Sequence, residues 1–187
     1  KDCVNLTEFN IPANVNEIKK GTFENCTALG TVEFPNALSV IGEVAFKNCE
    51  SLEEVTLYKN LSRISDSAFE GCSSLAKFTF LGSVRSIGAA AFKDCITIES
   101  IIIPEGITAL NDETFSGCTN LESVTLPSGL KTIGSQSYGC VFKNCTNLRN
   151  IILPSTVEAL CDSMFYNCSN LRKIEIPAGV AEINKEL

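Results

Sequence analysis

The chain has 187 residues, 44% hydrophobic and 20% charged, with a formal net charge of −7. That is enough for one sizeable core and an ordinary soluble composition. The acidic balance excludes the basic face that nucleic acid needs and electrostatic docking onto anionic lipid, and no apolar run approaches the roughly 20 residues of a membrane span. The longest such run, Ile-Glu-Ser-Ile-Ile-Ile-Pro from Ile98 to Pro104, is strand-sized.

The chain opens Lys-Asp-Cys-Val-Asn-Leu, which is not a signal peptide. It closes Asn-Lys-Glu-Leu, which falls short of a retention signal and reads as an interrupted repeat. Both ends are those expected of a fragment of a longer protein. Between them the sequence repeats. Cys3, Cys26, Cys49, Cys72, Cys95 and Cys118 stand 23 residues apart. Cys145 follows after a four-residue insertion between Ile133 and Phe142, and Cys168 comes another 23 later. These cysteines start about eight units of a single domain over residues 1–187.

Each unit reads in the same order. Three residues after the cysteine stands Leu6, Leu29, Leu52, Leu75, Ile98, Leu121, Leu148 or Leu171. Apolar residues six and eight after it (Val55 and Leu57 in the third unit) form a period-two alternation, which predicts a short strand. Proline usually follows and stops the strand by removing the next ladder donor, though Tyr58 and Leu81 replace it in the third and fourth units. An isoleucine or leucine comes next, at Ile18, Ile41, Ile64, Ile87, Leu110, Ile133, Leu160 and Ile183. The stretch from there to Phe23, Phe46, Phe69, Phe92, Phe115, Phe142 or Phe165 predicts a short helical turn. Asn, Gly or Asp immediately precedes each later cysteine, the residue types that tolerate the left-handed conformation closing a helix. No single unit can bury its apolar face, so the units must stack. The expected fold is an α/β solenoid: a right-handed superhelix with a parallel concave β-sheet and short helical turns on the convex side.

The unit C-x-x-L-x-x-V-x-L-P…I…F-x-x-C resembles the BspA-like class of leucine-rich repeats. Ala45 to Leu57 (AFKNCESLEEVTL), Ala68 to Leu75 (AFEGCSSL) and Asn120 to Gly134 (NLESVTLPSGLKTIG) carry the likeness. It covers essentially the whole chain and departs only at the insertion and at the two missing prolines. The resemblance implies a surface protein, similar to the adhesins and surface antigens of bacteria and parasitic protists, for which attachment to host protein is the usual proposal.

Ten cysteines and no histidine raise the question of chemistry. Stacking places Cys3 to Cys168 in a buried ladder, each expected to fill space as a small apolar residue. Parallel side chains ~4.8 Å apart do not converge as a disulfide or a metal site requires. No C-x-x-C occurs, so neither metal nor cofactor is expected. Cys140 and Cys161 stand off the ladder on adjacent units. Either they bridge in an oxidising compartment and tie down the insertion, or they are two unrelated thiols. Without histidine, Ser/His/Asp and Cys/His arrangements are impossible within this segment, and no phosphate loop occurs, so an enzyme is not expected. The sequons at Asn5, Asn25, Asn60, Asn144 and Asn167 are largely a by-product of the repeat.

Function is therefore expected on the strand face. Residues five and seven after each ladder cysteine point out of the coil, and the candidates are Glu33, Glu54, Thr56, Lys77, Thr79, Ile102, Thr125, Asn150, Ile152, Lys173 and Glu175. Ile102, Thr125 and Ile152 form an apolar column rimmed by polar groups, suited either to a contact or simply to a strand. Two readings follow. In the first, the chain is a non-catalytic adhesion module of a secreted or cell-surface protein that binds another protein, a host or matrix component, through the concave sheet. In the second it is a structural spacer presenting another domain at the envelope. Neither reading involves nucleic acid or membrane insertion of this segment, and the oligomeric state is left open.

Overall fold

Small groups of β-branched and aromatic residues, buried at every second position in all but the first, exposed coil, give seven repeats their first strand. In the computed structural model, which describes residues 1–82, 84–135 and 140–183, these strands are β1 (Glu8–Asn10), β3 (Thr31–Glu33), β5 (Glu54–Leu57), β7 (Lys77–Phe80), β9 (Ser100–Ile102), β11 (Ser123–Thr125) and β13 (Asn150–Ile151). They pair in parallel with Phe9 beside Val32 and Val124 beside both Ile101 and Ile151, so the register holds across the insertion. The final unit adds only a bridge from Asn150 to Lys173. Residues 136–139 of the insertion and the closing residues 184–187 lie outside the described residues.

Proline's role is visible where it is missing. β5 and β7 run four residues, pairing as far as Leu57 with Phe80, and the Leu81 N–H donates to Leu57 O at 2.8 Å. A proline at position 81 could not make that bond.

A second parallel ladder, not expected from the sequence, runs along the Ile18 column. Its strands are β2 (Glu17–Ile18), β4 (Val40–Ile41), β6 (Arg63–Ile64), β8 (Ser86–Ile87), β10 (Ala109–Leu110), β12 (Thr132–Ile133) and β14 (Ala159–Leu160). Here β2-β4-β6-β8 and β10-β12-β14 are continuous. The second ladder thus breaks once, between β8 and β10, and the first sheet twice, into β1-β3, β5-β7 and β9-β11-β13.

The helical turns expected on the convex side are corrected: no helix forms among the described residues. The reason lies in where alternate amides go. Val44, Phe46 and Asn48 N–H groups donate to Asp66, Ala68 and Glu70 of the next coil, while Ala45 and Lys47 donate three residues back within the turn. A helix needs consecutive amides bonded along its own axis, and here every second one is spent between coils. The backbone also turns left-handed twice per unit, at Val44 and Asn48 (φ 49° and 58°) and again at Ala90 and Asp94 (φ 53° and 58°). The residue preceding the ladder cysteine is thus left-handed as the Asn/Gly/Asp pattern predicts, but it closes a turn.

The core is a set of columns. Phe46, Phe69, Phe92, Phe115 and Phe142 stack nearly parallel, with centroids 5.3, 5.8, 5.5 and 5.7 Å apart and planes within 4°. The ladder cysteines from Cys26 to Cys168 are buried, whereas Cys3, at the open end, is exposed. From Cys49 to Cys168 each ladder thiol does more than fill space. Cys49 Sγ donates to Phe23 O at 3.2 Å, Cys72 to Phe46 O at 3.1 Å and Cys118 to Phe92 O at 3.1 Å. On the convex side, Lys1 pairs with Glu24 (2.9 Å), Lys47 with Glu70 (3.0 Å) and Lys93 with Glu113 (2.8 Å), so opposite charges meet across coils.

Candidate interaction surface

Alternation along each first-sheet strand sends one side chain into the core and the next outward. Glu33, Glu54, Lys77, Ile102, Thr125, Asn150, Ile152, Lys173 and Glu175 are exposed, and Thr56 and Thr79 are half-buried. The pairing register sets Thr56 beside Thr79 and Ile102 beside Thr125, with Ile152 on the coil after Thr125. Five β-branched residues therefore occupy successive coils of one column. Ile102 is 70% and Ile152 85% exposed, the largest values among the exposed large hydrophobics of the described residues.

Among the described residues, the charged candidates other than Glu33 are arranged in pairs. Lys77 Nζ lies 2.8 Å from a Glu54 carboxylate oxygen on the neighbouring strand, and Lys173 lies 2.6 Å from Glu175 in its own coil. Arg149 meets Glu122 at 2.8 Å along the flank. All of these are solvent-facing, so each is worth little to stability and serves mainly to pattern the surface.

Two apolar residues on this face were not among the candidates. Tyr58 and Leu81 are exposed and stand where other units carry proline. Their signal in the sequence was the departure itself, a large side chain in a slot that otherwise only terminates a strand.

Among the described residues no group of three or more Cys, Asp or Glu side chains could hold a metal ion, and no buried side-chain nitrogen or oxygen lacks a partner. No described helix is long and apolar enough to cross a membrane.

Burial pushes the Cys49 thiol up to about 12, and those of Cys161 and Cys168 up to about 11. Burial also raises Cys72, Cys95, Cys118 and Cys145. A thiol held protonated is a poor nucleophile. Cys161 is fully buried and Cys140 half-buried, both as thiols, and the Cys140 N–H donates to Asp162 O at 3.4 Å beside Cys161.

A family model described as "BspA type Leucine rich repeat region (6 copies)" matches residues 1–119 and 85–187. Among solved structures, a T. pallidum leucine-rich repeat protein is similar with a TM-score of 0.80 at 28% identity, covering 89% of this chain and 78% of that one. One from Eubacterium ventriosum gives 0.81 at 27% identity, covering 95% of this chain and 46% of that one. One from Bacteroides ovatus gives 0.55 at 25% identity, with 92% and 54% covered. The chain thus spans about half the length of the latter two. No curated protein matches it.

Proposed function

The chain belongs to the BspA-type leucine-rich repeat family, and from that premise we propose that it is a protein-binding module of a secreted or cell-surface protein. It engages another protein, a host or matrix component, through the concave sheet and without catalysis. The observation that carries this reading is the pair of isoleucines left in water. Ile102 and Ile152 expose 70% and 85% of their surface in one column with Thr125 between them. An aliphatic column rimmed by paired charges has the anatomy of a binding hot spot, with an apolar centre and a polar surround. The flanking ion pairs then orient a partner more than they hold it.

The test is adhesion of beads coated with the chain to films of extracellular-matrix protein. The double variant Ile102→Asp, Ile152→Asp changes only exposed side chains, and its melting temperature is measured beside the parent's so that lost strand propensity is not read as lost binding. It is expected to lose adhesion by about tenfold or more, the effect of removing one hot spot. Adhesion that survives the double variant unchanged would leave the spacer reading in possession.

A further inference from the structure

The interruptions of the first sheet carry chemistry of their own. Where the ladder is intact, two successive amides entering a strand donate to one carbonyl of the coil before. Gly30 and Thr31 donate to Thr7, Ala76 and Lys77 to Glu53, and Glu122 and Ser123 to Glu99. Glu53 and Glu54 make no such bonds to Gly30, and Phe34 does not donate to Thr56 as Ile11 donates to Glu33. β3 and β5 therefore face each other across unpaired edges. At that break stands Phe34, one of two rings (with Phe80 beside the β7–β9 break) where the other coils carry leucine or isoleucine, tilted at 60° against Phe46 with centroids 5.5 Å apart. Above it lies a cleft of ≈ 600 Å³ walled by both strands.

An unpaired strand edge is a template for another extended backbone. The side chains around this one select by charge. Glu33 and Glu53 border the cleft, are exposed, and have no salt-bridge partner among the described residues, while Glu54 is shared with Lys77. Tyr58 stands at the rim with its ring partly exposed, a face for a cation. The second break, between β7 and β9, holds Lys77 and only one carboxylate, Glu105, and lacks this bias.

We propose that the β3–β5 cleft docks an extended cationic segment of a partner protein. Its backbone adds hydrogen bonds to the free edges, and lysine or arginine side chains on one of its faces meet Glu33 and Glu53. The proposal rests on the concave-face reading above and names the chemistry of the segment that face receives.

The probe is a labelled, end-capped peptide of alternating lysine and threonine, followed by fluorescence anisotropy on the full chain. Binding is expected to weaken about tenfold in Glu33→Gln, Glu53→Gln. A similar loss is expected when alternate peptide amides are N-methylated, which removes edge donors but no charge. Ile102→Asp, Ile152→Asp should bind the peptide as the parent does. No binding, or indifference to N-methylation, would overturn the cleft, as would an equal loss in Glu99→Gln, Glu105→Gln, which would reduce the effect to general attraction by an acidic chain. If adhesion survives the isoleucine variant while the cleft takes the peptide, the apolar-column reading falls and the cleft stands. If adhesion is lost in that variant but the cleft is indifferent, only the cleft falls.

Discussion

A cysteine in this chain is a donor as well as a filler. Alanine would fit the column, yet only the thiol also bonds the Phe carbonyl one coil back, as Cys95 Sγ does to Phe69 O at 3.2 Å. Burial is the first cause of the raised thiol values, and the sign of the pH effect follows from it. Folding holds the proton more tightly than the unfolded chain does, so the thiols' contribution is whole below the ordinary value of 9.0 and is lost as pH climbs toward about 12 for Cys49. Over that window each protected thiol removes up to about 1.4 kcal/mol per pH unit. Urea midpoints should therefore fall steeply above pH 9, and less steeply in Cys49→Ala; equal slopes in the two proteins would contradict it. Cys140 and Cys161 are proposed to behave differently. With glutathione disulfide as oxidant, the two sulfurs join, releasing two protons while two electrons reduce the oxidant's own disulfide to thiols. Alkylation under denaturing, non-reducing conditions then counts two thiols fewer than the ten of the sequence. A full count of ten after oxidation removes the bridge.

At the scale of the element, the missing prolines and Gly82 belong together. Because Leu81 donates to Leu57, the chain after β7 is drawn onto the previous coil, and a Cβ at Gly82 would sit 2.8 Å from the Lys59 carbonyl carbon and oxygen. Gly82→Ala must therefore push the coils apart, at about 1–3 kcal/mol. Hydrogen exchange at the Leu81 amide should accelerate, while exchange at the Val55 and Phe78 amides, deeper in β5 and β7, changes less. Unchanged protection at Leu81 would mean the coil gives without losing the bond. The first strand was legible in the sequence because period-two burial and a terminating proline are both local signals. The second ladder was not, since a two-residue strand with one buried side chain shows no period. The convex segment misled for a related reason. Ile41, Val44, Ala45 and Cys49 have helical spacing, and only the bonds to the next coil force Val44, a β-branched residue, into the left-handed region. On the candidate surface, outward alternation picked out Ile102 and Ile152. The break beside β3, where Phe34 packs on Phe46, depends instead on how two coils pack against each other.

Stacked coils touch only their neighbours, so the stability of the whole is close to a sum of unit and interface contributions. That makes the consequence of losing one central ring specific. Phe92 lies between Phe69 at 5.8 Å and Phe115 at 5.5 Å, and Phe78 meets it edge-on at 4.7 Å. It also sits beside the β7–β9 break, where the first sheet lends no cross-strand bonds. The second ladder is also broken at that seam, between β8 and β10, so coil-to-coil adhesion there rests on the rings and on convex bonds such as Phe92 N–H to Thr114 O at 3.0 Å and Asp94 N–H to Ser116 O at 2.8 Å. Phe92→Ala is expected to cost ~3–5 kcal/mol. Its effect should concentrate in the amides of Phe69 and Phe92, whose protection falls most. Amides of the outer coils, such as Gly21 bonded to Glu43 O and Asn144 bonded to Tyr166 O, keep theirs. The physical basis is that a void inside one coil removes contacts at that coil's two interfaces and at no others. Equal loss of protection from end to end would show instead that the chain opens as one cooperative unit, with the columns acting together.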